Sequence, residues 1–424
     1  MPTTSQIPKK PMSEKHRLRD ALVTETIKAI SIQGLESLSL RNVSAAAGCS
    51  TGVVFQNFGG KEELIAAALE KALSGEKKFH DDFSSHTDAV AFHHLSFADL
   101  VASYVELRAE SVCARFWTEI LFKSQQLVSA PLYISQWHSL RVEFWQAKLS
   151  QSACDPALAP ILSAYCSMEE VYAYSLIGHP EYRLLLRETT RALTAKGFGV
   201  QLSDYHCDIS EWLGQGSPRF QVPTQPDRNE LSHRLLDLAA KHIVSKGIGS
   251  LNQRKIAKEA KTSSSMIAYH FGNLDTFVNE AIWRALLINI PNEVNPAIAG
   301  GQKQKNVAEW SAVLSLLITH PRTKVKRAGF YINVARITGE VSLLARQRLE
   351  LLPIVDHLRN FEGSGSFRAS KSIWPDAITL DRPTATAFGV WIKGQAILNE
   401  ALSAAEQDSR VQLLDAAALL LGNR

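Results

Sequence analysis

An internal repeat constrains this chain more than any other feature. A shift of 213 residues carries Leu18, Leu22, Lys28, Gly34, Leu38, Arg41, Ala47, Ser50, Phe58 and Gly59 onto Leu231, Leu235, Lys241, Gly247, Leu251, Arg254, Ala260, Ser263, Phe271 and Gly272 without a gap. Conservative pairs, Ile30/Ile243, Val43/Ile256 and Val54/Ile267, fill the apolar positions between them. The shift is about half of the 424 residues, so the simplest account is tandem duplication of one module. Between the copies, residues 214–226 are dense in Gly and Pro and lack apolar periodicity, the composition of a linker.

Within each copy the spacing predicts helices. Residues 18–33 and 231–246 are apolar at three- and four-residue intervals and end at Gly34 or Gly247, where a helix commonly needs a positive φ. Asp227-Arg-Asn-Glu230 has the pattern of a capping box ahead of the second stretch. Two short helices follow in each copy, 39–47 and 50–58, then 252–260 and 263–271. Residue types that cap helices, Ser39/Asn252, Ser50/Ser263 and Gly60/Asn273, recur at matching positions. A tight helix-turn-helix holds its second helix where the N-terminal residues can enter a DNA major groove about 12 Å wide. Val54 and Phe58, or Ile267 and Phe271, stand four apart and are expected to face the core. Ser50, Thr51, Val53, Gln56 and Asn57, or Ser264, Met266, Tyr269 and His270, are then left facing outward.

The run from Gly48 to Leu64, GCSTGVVFQNFGGKEEL, resembles the signature of the tetracycline-repressor (TetR) family. That resemblance implies a three-helix DNA-binding head, a larger helical body that binds a small apolar or amphipathic effector, and dimerisation through the last two body helices. Ser50, Thr51 and Gly52 match the start of the family's recognition helix, and Lys61 matches its phosphate-contacting lysine. Phe55 stands for the usual Tyr and Asn57 for the usual His. The second copy departs further, with Lys261 and Ser265 in place of glycines, Ala268 in place of Tyr and Leu274 in place of the lysine. There His270 and Phe271 do match, and Tyr269, Lys255, Lys258 and Lys261 offer phosphate contacts by another route. Candidate DNA contacts are therefore Arg41, Ser50, Thr51, Gly52, Val53, Phe55, Gln56, Asn57 and Lys61, with Lys261, Ser263, Ser264, Ser265, Tyr269 and His270 in the second head. Lys9, Lys10, Lys15, Arg17 and Arg19 form a basic arm suited to the backbone or minor groove.

No strand alternation competes with the helical patterns, so the expected fold is all-α. Body helices are expected over 100–126, 132–151, 157–177 and 181–196, then over 307–319, 325–352 and 383–421, the last broken near Gln407-Asp-Ser. The expected domains are a head (1–62), a body (63–213), the linker (214–226), a second head (227–275) and a second body (276–424). Phe116, Trp117, Trp137, Phe144 and Trp145 could line an effector pocket or simply pack a core.

Charge and chemistry narrow the function. A net charge of +4 hides an uneven distribution: residues 1–220 hold 21 basic and 24 acidic side chains, the remainder 25 and 18. The five cysteines include no C-x-x-C pair and read as reduced thiols. Asp204-Tyr-His-Cys-Asp208 finds no second ligand cluster, so neither metal nor other cofactor is expected. Nucleophile elbow, phosphate loop and paired carboxylates are missing from the pattern, which argues against an enzyme. Without a leader or long apolar run, a cytoplasmic protein with no membrane partner is expected. The reading is a ligand-responsive transcriptional regulator, most simply a repressor, that binds a double-stranded DNA operator as an intramolecular pseudo-dimer, a homodimer of chains being the other assembly. The competing reading is a helical small-molecule-binding or enzymatic protein that retains the heads as scaffold.

Overall fold

In a computed structural model, the described residues are 14–200 except 89 and 153, residue 209, 227–291 except 289, and residues 294–295, 303–320, 329–378 and 380–421. Every described element is a helix, as the lack of period-two alternation requires. The first run comprises α1 (Glu14–Gln33), α2 (Leu40–Ala46), α3 (Thr51–Phe58), α4 (Lys61–Ser85), α5 (His94–Glu110), α6 (Val112–Phe122), α7 (Ala130–Ser150), α8 (Ala159–Leu176) and α9 (Pro180–Ala195). The second comprises α10 (Glu230–Lys246), α11 (Gln253–Glu259), α12 (Ser265–Phe271), α13 (Leu274–Leu287), α14 (Val307–Ile318), α15 (Phe330–Ala345), α16 (Leu352–Phe361), α17 (Ser364–Ser372), α18 (Arg382–Ala401) and α19 (Glu406–Ala416). The linker at 214–226, the Asp204–Asp208 cluster, Lys9 and Lys10 lie outside the described residues.

The chain divides into two compact units, Met1–Asp82 with Val112–Trp137, and Phe83–Ser111 with His138–Arg424. In the first unit α6 packs along α1, burying Leu22 and Ile30 completely. Ser31 Oγ donates to the Val112 carbonyl at 2.8 Å. In the second unit α5 packs on α8 and α9, and the second run repeats that order, α14 packing on α18 and α19. Likewise α15 meets α10, as α6 meets α1 in the first unit.

The heart of the second unit is the crossing of α8 and α18, both buried over almost their whole length, polar side chains included. Gly394 makes the crossing possible: a Cβ there would overlap the Ala164 carbonyl oxygen and lie 2.8 Å from its carbon. Polar groups buried at this crossing pair with one another, although Arg359 Nη1 and Glu169 Oε2 are left without a hydrogen bond. Arg359 Nε donates to Glu169 Oε1 at 2.8 Å and its Nη2 to Thr189 Oγ1 at 3.2 Å, while the Tyr182 hydroxyl donates to Glu169 Oε1 at 2.9 Å. Beside them Glu362 accepts from both Lys393 and Tyr172. Burial first, then the Glu362 charge, pushes the Tyr172 phenol well above its ordinary range and keeps it a donor.

Several helix ends differ from the sequence expectation. The stretch 100–126 is split, because Ser111 turns extended (φ −82°, ψ 123°) and α6 restarts at Val112. Of the stretch 325–352, residues 325–328 lie outside the described residues, the rest forms α15, a short turn and the start of α16, and α17 is an element the periodicity does not predict. In 383–421 the break comes at Leu402–Ala405, earlier than Gln407: Ser403 takes a φ of 54°, and Asp408 accepts the Ala405 N–H at 3.1 Å. The polar cluster thus starts α19. Among the described residues Cys49, Cys113, Cys154 and Cys166 form no disulfide. Among the described residues no helix is long and apolar enough to cross a membrane, and no three or more His, Cys, Asp or Glu side chains gather as metal ligands.

Candidate nucleic-acid interface

The first head is built by local signals. Ser39 caps α2, its hydroxyl accepting the Asn42 N–H at 3.5 Å. Gly48 makes the turn with a φ of 72°, and α3 follows. Val54 and Phe58 are buried beneath α3, as their four-residue spacing requires. Arg41, Ser50, Gly52, Phe55 and Gln56 are exposed, with Phe55 55% accessible, and Thr51, Val53, Asn57 and Lys61 are half-buried. Two of these carry internal bonds. Asn57 Nδ2 donates to the Val53 carbonyl at 2.8 Å, and Lys61 Nζ to the Leu38 carbonyl at 3.1 Å. Ser50 occupies the cap position of α3 without a side-chain capping bond.

The second head keeps the backbone where the sequence drifts. Lys261, the counterpart of Gly48, still adopts a φ of 56°, a conformation that costs a residue with a Cβ about 1 kcal/mol. Asn252 caps α11 through the Lys255 N–H at 3.1 Å, and Asn273 caps α13 through the Thr276 N–H at 2.8 Å. Two expectations are corrected. The residue at the start of α12 is Ser264, in helical conformation, and Ser263 Oγ and Ser265 Oγ bond each other at 2.7 Å. Ahead of α10 the cap is Asn229, which accepts the Ser232 N–H at 2.9 Å, so Asp227 does not open a capping box. Ile267 and Phe271 are buried. Lys261, Ser263, Ser264 and Ser265 are exposed, and Tyr269 is 78% accessible. Met266 is half-buried. His270 turns back toward the head, half-buried, with Nδ1 3.3 Å from Asn229 Nδ2. On α11 the Glu259 carboxyl is held below its usual range by its hydrogen bond with His242, at 2.9 Å.

One feature of both heads escaped the sequence reading. Arg19 Nη1 donates to the carbonyl of Asn57 at 2.9 Å, and its guanidinium lies 4.4 Å from the centre of the Phe58 ring. Arg228 does the same in the second head, donating to the His270 carbonyl at 2.6 Å with its guanidinium 4.4 Å from the Phe271 ring centre. Each arginine thus closes the last turn of the recognition helix, satisfying a carbonyl the helix leaves free and stacking on the ring below it. Arg228 is further clamped by Glu280, whereas Arg19 is exposed. Alignment concealed the pair: Arg228 falls opposite Lys15, one helical turn before Arg19. Arg19→Ala is expected to lower the opening free energy of the last α3 amides by about 1 kcal/mol, read by hydrogen exchange, and Arg19→Lys to recover little of it because an ammonium cannot both stack and bridge.

A second recurrence ties each head to the helix packed on it. Glu119 on α6 accepts the Leu35 N–H at 3.5 Å, just after Gly34. Glu340 on α15 accepts the Ile248 and Gly249 N–H groups at 2.8 and 3.0 Å, just after Gly247.

The five aromatic candidates for an effector pocket are all buried, and they fall in different units. In the first unit Trp117 stacks on Trp137 at 5.5 Å, meets Phe116 edge-on and donates its indole N–H to the Ala72 carbonyl. In the second unit Phe144 and Trp145 pack with Tyr104.

A family model described as bacterial regulatory proteins, tetR family, matches residues 22–68, which include all of α2 and α3. Over 96 residues the chain is 30% identical to the HTH-type transcriptional regulator BetI of Vibrio campbellii, covering 23% of this chain and 48% of that protein. The chain therefore spans about half the length of this curated relative. Residues 22–68 thus form a capped helix-turn-helix that is similar to the N-terminal domain of the tetR family of bacterial regulatory proteins.

Proposed function

We propose that this chain is a DNA-binding transcriptional regulator, a tandem duplicate in which two unlike heads are carried by bodies paired within one chain. The observation that carries the reading is the first head: a capped helix-turn-helix whose recognition helix buries Val54 and Phe58 and leaves Ser50, Gly52, Phe55 and Gln56 open to a groove. The repeated arginine closure and the repeated carboxylate at the first-helix turn support duplication. Packing of α8 and α9 on α18 supports an intramolecular pseudo-dimer, since the surface of α8 is already occupied within the chain. In this reading a small apolar or amphipathic effector bound in the bodies acts on the heads through Glu119 and Glu340.

Lys61 is the direct test of the DNA-binding reading. Its ammonium spends one donor on the Leu38 carbonyl and has others left for a phosphate. Lys61→Ala is expected to weaken specific and random DNA almost equally and to reduce the salt slope by about 1. Thr51→Ala or Gln56→Ala is expected to cost about 1–3 kcal/mol at particular base pairs. Fluorescence anisotropy on labelled duplexes at several salt concentrations reads both; an unchanged slope for Lys61→Ala would remove it from the interface.

A further inference from the structure

We propose that the second head holds a binding site for a small amphipathic anion, at the place where the first head keeps Lys61. A cleft of about 460 Å³ opens beside α11 and α13. That volume lies within the range of small-ligand sites, roughly 300–1,000 Å³. Ile256 and Phe277 are buried at its floor, and Leu274, 41% exposed, stands with Leu251 on its wall. Leu274 and Leu251 are the counterparts of Lys61 and Leu38. In the first head the ammonium at this position is tied to the Leu38 carbonyl; in the second that charge is gone and an apolar wall remains.

The charge along the cleft decides the ligand class. Arg348 is shared between Glu350, at 2.8 Å, and Asp275, at 3.7 Å. Arg254 is exposed and, among the described residues, makes no ion pair. A carboxylate or sulfonate can therefore take the Arg254 fork while an apolar body covers Leu274, Leu251 and the edge of Phe277. Gly249, on the same wall, has its N–H committed to Glu340, so an occupant sits against the turn that α15 holds. Arg254 is the counterpart of Arg41, a candidate DNA contact, so an occupied cleft also competes with DNA. Only that last consequence rests on the function proposed above.

The probe is anilinonaphthalene sulfonate, an amphipathic anion whose emission rises in an apolar site, titrated into the full chain. Saturable binding is expected, weakened at least roughly tenfold by Leu274→Asn, which removes the apolar wall without adding charge, and roughly fivefold by Arg254→Ala. Val128→Lys, at a residue 97% exposed in the first half, is expected to leave it unchanged. Both arginine and leucine variants change exposed residues, and thermal melts check that they remain folded. Failure of the wild-type chain to bind saturably, or equal affinity in the wild type, Leu274→Asn and Arg254→Ala, would overturn the site. Binding that follows the expected order without any change in DNA affinity would uphold the site and count against a DNA role for the second head.

Discussion

Replacing Gly394 by alanine is expected to destabilise the chain by at least about 3 kcal/mol, near the upper end of what overpacking a core costs. The added methyl would overlap the Ala164 carbonyl oxygen, a backbone atom of α8 with no rotamer to escape into. The two helices would have to separate, loosening contacts along a crossing in which α18 is buried from Pro383 to Ala401. Helix propensity works the other way by no more than about 1 kcal/mol. Gly178→Ala is the control, since nothing lies within 4 Å of a Cβ there, and it is expected to be neutral or slightly stabilising. Urea denaturation followed by circular dichroism compares them; equal midpoints would mean that α8 and α18 are not in close contact.

Arg359→Met is expected to cost about 3–5 kcal/mol, the penalty for leaving one member of a buried pair uncompensated. Arg359 and Glu169 are 1% and 0% exposed, and the carboxylate is left with neutral donors such as Tyr182 once the guanidinium is removed. Adding Glu169→Gln removes the stranded charge while preserving an acceptor for Tyr182, so the double variant is expected to regain at least half of the loss. The same denaturation assay reads this coupling. Additive losses in the double variant would show that the two side chains do not interact across the two halves of the sequence.

The heads were legible because their signals are local and occur twice. Ser39, Asn252 and Asn273 cap the helices that their residue types announce, and Val54, Phe58, Ile267 and Phe271 are buried as period 3.6 demands. What the sequence concealed was long-range or displaced. Arg19 and Arg228 do the same work one helical turn out of register, and Glu119 and Glu340 reach turns more than eighty residues away. Two breaks in the bodies were invisible because no Gly or Pro marks them: Ser111 and Ser403 turn the chain without the residues usually recruited for it. Ser264 as the cap residue of α12 was missed for a related reason, since Ser263, Ser264 and Ser265 offer three equivalent hydroxyls and composition cannot choose among them.

In the function proposed above, one chain presents two unlike recognition helices to DNA, STGVVFQN from Ser50 to Asn57 and SSSMIAYH from Ser263 to His270. Identical heads read a palindrome, whereas unlike heads are free of that constraint. Native mass spectrometry of the chain on its footprinted duplex, with the protected sequence determined alongside, measures this most directly. One chain of 46.8 kDa per duplex is expected, on a protected site whose two halves differ in sequence, with the base-specific loss from Gln56→Ala confined to one half. Two chains on a near-perfect palindrome, with Gln56→Ala weakening both halves equally, would contradict it.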